Sequence, residues 1–374
     1  VLTFFELIGL KVVASGDSLK LAEAQRKLAN FLNDASVSSY SLVFHCDPDG
    51  FASGVINAKA LTHFYRVRPQ GIFSIPYPKI ESVAKMIARS KTELVCVSDL
   101  SLDAWQSALK LLSDKHLVVI DHHKHYGELK GQHALLIKPQ LFSDPEPSSY
   151  PASKLCYDVM GVLGGIGHAD WLACLGIIGD MAVNRWADFV RGVCDKYGCE
   201  QSLLEMITEG LNALYVIDSS KLESYFWRFF EAKMPQDVPV DGLMDFKKKL
   251  DRELEREFAE LEQQAHYYED LELVWYELDT RVNIKSIVAN TLAKRWPSRT
   301  IVVVQRAGDH VRVSARRGDM RLAVNELLER AVEGLPKAHA GGHVPAAAGS
   351  LPAKELATFK QRILNMLKER YVKR

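Results

Sequence analysis

The sequence predicts an α/β protein with two unlike halves. An N-terminal domain is built on a mostly parallel, doubly wound sheet, and a long connecting helix leads to a smaller C-terminal α/β domain. Three observations lead there. Up to Asp180, short apolar runs alternate with helix-length amphipathic segments, the pattern of strand and crossover helix. Apolar residues then recur every three or four positions at Phe246, Leu250, Leu254, Phe258, Leu261 and Ala265, on a highly charged background, which marks one long helix. From Leu271 short apolar segments return. The expected domains are therefore residues 1–233 and 271–374, with 234–270 as the connecting helical segment.

In chain order, Val1–Ala14 is apolar but carries Glu6 and Lys11, which suits the edge of a strand or helix better than a signal peptide. The absent initiator Met suggests trimming. Asp17 or Ser18 can cap a helix in which Leu21, Ala24, Leu28, Phe31 and Leu32 share one face. Leu42–Phe44 reads as a buried strand, Ala52–Tyr65 as the helix after it, and Phe73–Pro76 as a short strand. Leu94–Val97, Leu117–Ile120 and Ala173–Ile178 read as further strands. Ser143–Ser149, rich in residues that break regular structure, is a lid or edge connection ahead of a helix over Ser153–Val162. A second break, Met234–Pro239, looks like a domain border.

The long helix that follows is a spacer whose apolar stripe packs on one lobe, or else a surface for a second copy of the chain or for a partner protein. Leu273–Tyr276, Ile301–Val304 and Val311–Val313 supply strands to the second domain. Its final helix is basic, with Lys360, Arg362, Lys368, Arg370, Lys373 and Arg374, and is assigned no site because basic ends are commonly solvated.

Composition narrows the function. With 374 residues there is room for two cores, and 47 basic side chains balance 47 acidic ones. No global field attracts nucleic acid, so any such affinity must come from local patches, and a protein that coats long DNA is disfavoured. The six cysteines are scattered, several inside apolar runs, which fits reduced thiols in the cytoplasm. Cys194 and Cys199 lack the second Cys or His pair that a structural zinc would need. No apolar run approaches the roughly 20 residues of a membrane span.

The chemistry is concentrated where the apolar runs of the first half end. His45-Cys-Asp-Pro-Asp-Gly50 follows the first strand, Ser98-Asp99 another, Asp121-His122-His123 another, and Gly179-Asp180 the last. In an open α/β sheet, ligands bind just beyond the carboxyl ends of the strands, so these clusters would converge on one crevice. Five aspartates there would repel one another unless cations neutralised them, and the added imidazoles point to metal rather than to a carboxylate dyad. A two-metal site is the economical reading.

His45-x-Asp47-x-Asp49, Asp99, Asp121-His122-His123 and Asp180 resemble, in order, the four motifs of the DHH phosphoesterase superfamily. Gly341-Gly342-His343 followed by Ala346-Ala347 resembles the glycine-rich signature of the DHH-associated C-terminal domain found in RecJ-type nucleases, nano-RNases and cyclic-dinucleotide phosphodiesterases. The resemblance implies one metal held by His45, Asp47 and Asp99 and another by Asp49, Asp99, His122 and Asp180. Asp99 would bridge them. Mixed ligation favours manganese, with magnesium the second choice.

By the same resemblance His123 would face the substrate phosphate, Asp121 would orient an imidazole, and Ser314, Arg316, Gly341, Gly342 and His343 would contact the substrate. Arg317 is read either as solvated or as a further contact. Ala348 departs from the family, which usually has glycine there. What is implied is a RecJ-like, archaeal-type exonuclease acting in a cleft between the lobes on single-stranded DNA or RNA, with a replication or repair protein as a candidate partner. A phosphodiesterase for short oligonucleotides or cyclic dinucleotides is the alternative, and a noncatalytic replication scaffold is a third.

Overall fold

The computed structural model describes residues 16–76, 79–129, 133–142, 144 and 146–371. The expectations for Val1–Ala14, Lys373 and Arg374 lie outside the described residues. The chain divides into two compact units, Val1–Phe246 and Lys247–Arg374.

Unit 1 begins with α1 (Gly16–Ala35), whose Ala24, Leu28 and Leu32 are buried. It leads into a five-stranded sheet with connecting helices: β1 (Tyr40–His45), α2 (Pro48–Tyr65), β2 (Gly71–Ile75), α3 (Ile80–Ala88), β3 (Leu94–Ser98), α4 (Gln106–Leu111), β4 (His116–Ile120) and β5 (Ala134–Ile137). All neighbours pair in parallel, in the order β2-β1-β3-β4-β5. After β2 the chain crosses back to the other side of β1. The order therefore reverses between β1 and β3, and at such a point the connections leave on opposite faces and open a crevice at the carboxyl ends of the strands.

After β5 the unit is helical, with α5 (Ala152–Met160), α6 (Asp170–Gly179), α7 (Val183–Tyr197), α8 (Gln201–Asp218) and α9 (Leu222–Glu231). One expectation is corrected here. Ala173–Ile178 is not a strand but most of α6, in which every residue from Asp170 to Ile177 is buried. A helix surrounded by protein shows no polar stripe, so its apolar run is indistinguishable by periodicity from a buried strand. Of the expected loop, Ser143 and Pro145 lie outside the described residues; the Arg185 guanidinium holds Asp144 through two hydrogen bonds of 3.0 and 2.6 Å and the Glu146 carbonyl through a third.

The helix α10 (Val240–Gln264) is 25 residues long. Its Leu243 and Phe246, in unit 1, and Leu250 and Leu261, in unit 2, are buried, and Glu257 is buried where it meets the Tyr276 hydroxyl. Unit 2 carries a six-stranded sheet of order β10-β11-β9-β8-β7-β6. Its elements are β6 (His266–Tyr268), β7 (Leu273–Leu278), α11 (Lys285–Arg295), β8 (Thr300–Ala307), β9 (His310–Arg316), α12 (Val324–Val332), β10 (His339–His343), β11 (Ala346–Pro352) and α13 (Leu356–Tyr371). The pair β7–β8, joined through α11, is parallel; the other pairs are antiparallel. One face, including Val302, Val304, Val311, Val313 and Ala315, packs with Leu327, Leu328, Phe359 and Ile363 of α12 and α13.

Candidate metal centre and substrate strands

The predicted acids and histidines meet at the carboxyl ends of β1, β3 and β4. His45 is the last residue of β1, and Asp47 caps α2 by accepting a hydrogen bond from the Gly50 amide at 2.9 Å. A Cβ at Gly50 would stand 2.2 Å from the His45 carbonyl oxygen, so only glycine lets the chain turn this sharply. Asp99 follows β3 with φ of 55°, a left-handed conformation that costs free energy for any residue with a side chain and that fixes where its carboxylate points. Asp121, His122 and His123 follow β4. Asp180 arrives differently from the expectation, at the C-terminal cap of α6.

His45 Nδ1 lies 2.8 Å from Asp47 Oδ2 and 3.7 Å from Asp99 Oδ2. His122 Nε2 lies 3.4 Å from Asp99 Oδ1 and 3.5 Å from Asp180 Oδ2, and His123 Nδ1 lies 3.6 Å from Asp99 Oδ1. Three sets bring ligand atoms within 4.8 Å of one another: His45, Asp47 and Asp99; Asp49, His122 and Asp180; and Asp99, His122 and His123. Asp99 and His122 are each shared by two sets.

The electrostatics of this cluster fit a cation. Burial, and then the charges of Asp47, Asp49, Asp180 and Asp121, hold the Asp99 carboxyl well above the usual carboxylate range. Asp180 is raised by burial and by Asp49 and Asp47, and Asp49 is pushed up to about 6 by burial and by Asp47. Asp99 Oδ1 is buried and accepts no hydrogen bond, an arrangement that costs free energy unless something positive lies against it. Asp47 behaves oppositely: its confined setting opposes ionisation, but His45 and the Gly50 amide hold it well below the usual range.

Several supports were not legible in the motifs. Asp49 accepts the backbone N–H groups of Ala152 and Ser153 at 2.7 and 2.9 Å, at the start of α5. Its Oδ1 would stand 1.9 Å from a Cβ at Gly176, so α6 must present a glycine there. Asp121 is fully buried. It pairs with His123 Nδ1 at 2.7 Å and with Lys138 Nζ at 2.8 Å, and Ser101 Oγ donates to it at 3.3 Å. Burial works against both charges, yet His123 and Lys138 hold Asp121 well down, and Asp121 in turn raises His123.

Lys138 also binds Asp103 at 3.0 Å and donates to the His123 and Lys124 carbonyls, while Gln140 donates to those of His122 and His123. The loop after β4 is thereby fastened from beneath. Lys138 had a sequence signal: Ala134–Ile137 is an apolar run ending in a charged residue, the same form as the other clusters.

In unit 2 the register gathers the other predicted residues into neighbouring rows. Ser314 stands opposite Ala348, which stands opposite Gly341; Arg316 stands opposite Ala346, which stands opposite His343. Gly342 has φ of 146°, and a Cβ there would stand 2.4 Å from the Ala346 carbonyl oxygen. Ser314 is buried with its hydroxyl 2.8 Å from that of Ser286, and Arg316 is held by Asn290 and by the Ala315 and Ala347 carbonyls. Arg317 is neither solvated nor available as a contact. It is 1% exposed and locked to Glu272 and Asp319, so its role is structural.

Comparison with known proteins bears on the fold. Residues 271–369 match the family model of the DHHA1 domain. By fold the chain is similar to RecJ in complex with Mn2+ from Thermus thermophilus, with a TM-score of 0.67 and 16% identity over 94% of this chain and 55% of that one. It is also similar to exonuclease RecJ bound to manganese, at 0.65 and 16%, over 93% of this chain and 94% of the other. CDC45 from Entamoeba histolytica gives 0.56 and 9%, over 94% and 99%. The chain thus spans little more than half the length of the Thermus protein. No curated protein matches it by sequence.

Proposed function

We propose that the chain, which has a RecJ-like fold and matches the DHHA1 domain over residues 271–369, is a DHH-superfamily, metal-dependent phosphodiesterase that hydrolyses single-stranded nucleic acid from an end. The observation that carries this reading is the cluster of four aspartates and three histidines around Asp99, whose carboxylates repel in the absence of a cation. Residues 1–233 would do the hydrolytic chemistry, 234–270 would connect, and 271–374 would bind the substrate.

His45, Asp47 and Asp99 would hold one divalent ion and Asp49, Asp99, His122 and Asp180 a second, with manganese preferred. When bound, such a pair supplies a nucleophilic hydroxide and neutralises phosphate charge. The chain's own residues do the rest. Asp121, clamped by Lys138, presents His123 with its Nδ1 turned inward and its pKa raised, so the imidazolium can meet a phosphate oxygen or protonate a leaving oxygen. Ser314, Arg316, Gly341, Gly342 and His343 would grip the strand beyond the scissile bond. The long-strand reading rests on the likeness in fold to RecJ chains, at TM-scores of 0.67 and 0.65.

The test is manganese-dependent hydrolysis of a length series, from a dinucleotide to a long single strand labelled at either end. Rates that hold or rise with length and release mononucleotides are expected. Activity that collapses beyond a few nucleotides would replace the exonuclease reading with a small-oligonucleotide phosphodiesterase. Asp47→Ala and His122→Ala should each lose more than the roughly 10–100-fold that removal of an outer-shell partner costs.

A further inference from the structure

The two faces of the unit 2 sheet are covered unequally. Along β9, Val311, Val313 and Ala315 point into the core beneath α12 and α13, so by the two-residue period of a strand Arg312, Ser314 and Arg316 share the opposite face. On that face α11 covers β8: its Val288, Ala289 and Leu292 are buried, and its Ser286 touches Ser314. The β11 and β10 side of the face carries Ala346, Ala348, Ser350 and Gly341, side chains too small to fill it, and Ala348 is exposed. The result is a shallow floor walled on one side by basic residues.

The basic wall is longer than the Arg316 row. Arg312 and Arg316 are four residues apart, so at about 3.3 Å per residue their Cα atoms are separated by about 13 Å, too far for one phosphate to reach both backbones. Lys285 opens α11 next to Ser286, whose hydroxyl meets that of Ser314, the residue midway between the two arginines on β9. The Arg312 row continues through Ser350 to His339. Lys285 Nζ donates to Asn283 Oδ1 at 3.3 Å, while burial, and then Arg312 and Arg316, push its pKa down to about 8. Like charges gathered in this way are a standing cost, relieved when an anion settles among them.

We infer that Lys285, Arg312 and His339 form a second phosphate subsite, displaced along β9 from the Arg316 row, that takes the backbone of a single strand longer than a dinucleotide. This rests on the nucleic-acid reading of the same unit and adds what sets its preferred length. The Ala348 floor also answers the departure from the family's glycine: a methyl there lies on the open face, where it narrows the trough without blocking it.

The test is binding without hydrolysis: fluorescence anisotropy of the full chain with labelled oligothymidylates of two and twelve nucleotides in EDTA. Arg312 is exposed, so Arg312→Ala should fold normally, and Lys285→Met tests the inner position. The wild type should prefer the 12-mer. Each variant should weaken the 12-mer about tenfold, change the dinucleotide less than twofold, and reduce the salt slope by about 0.7 per lost contact. Equal losses for both lengths, no loss, or a wild type indifferent to length would each overturn the subsite. Hydrolysis is scored separately. A length-dependent binder that cleaves nothing would sink the proposed reaction and leave the subsite standing.

Discussion

Arg316 and Arg317 show how much one position matters. They are adjacent and chemically identical, yet Arg316 lies on the open face and Arg317 is buried against Glu272 and Asp319. Strand alternation would have separated them had the start of β9 been known, and element boundaries are what a sequence conceals best. Arg317→Ala leaves two carboxylates without their partner and should cost about 3 kcal/mol in chemical denaturation. Arg316→Ala should leave stability nearly unchanged and weaken oligonucleotide binding. Reversed outcomes would mean that the two roles have been exchanged. Gly176→Ala makes a similar point in unit 1. Its methyl would displace Asp49 and Ser153, at about 2 kcal/mol for overpacking, and should lower manganese affinity, which calorimetry would read. An alanine variant with wild-type manganese affinity would show that Asp49 does not depend on this close approach.

At the scale of elements, the strand-end clusters were legible because strands buried on both faces leave continuous apolar runs, and the charged residues that follow stand out. Of the residues that fasten them, Lys138 had the same signal at the end of an apolar run, whereas Ser101 and the Asp49 contacts at α5 are defined only by tertiary proximity. Asp180 was found for the wrong local reason, after a supposed strand that is the buried helix α6. The assembled cluster has a pH signature. An aspartate whose folded pKa is raised keeps a proton that the unfolded chain gives up, so metal-free stability should fall as pH rises from about 4. That loss should continue through about 6, the value for Asp49, and the raised carboxyls of Asp99 and Asp180 add to it. Manganese displaces those protons, so the rise in Tm between EDTA and manganese should grow from pH 5 to pH 8. Asp180→Asn should melt higher than the wild type in EDTA at pH 8 and gain less from manganese. A metal-induced rise that is flat with pH would remove the cluster from the binding equilibrium.

For the whole molecule, the balance of 47 basic and 47 acidic residues hides a division of labour. Unit 1 gathers carboxylates that need a cation, and unit 2 gathers cations, Lys285, Arg312 and Arg316, that need an anion. Each is costly alone, and under the proposed function each cost would be removed by a different part of one reaction: metal for the first, strand for the second. The two ligands should therefore protect different amides in hydrogen exchange. Manganese should slow exchange around 45–50, 98–103, 121–124 and 176–182, because its ligands fasten the ends of β1, β3, β4 and α6. A single-stranded 12-mer in EDTA should instead slow β9, β11 and the first turn of α11. If manganese alone protected β9 and β11, or the strand alone protected the ends of β1 and β3, the assignment of chemistry to one unit and grip to the other would be wrong. Protection of each unit by its own ligand alone is the outcome expected of the proposed assignment.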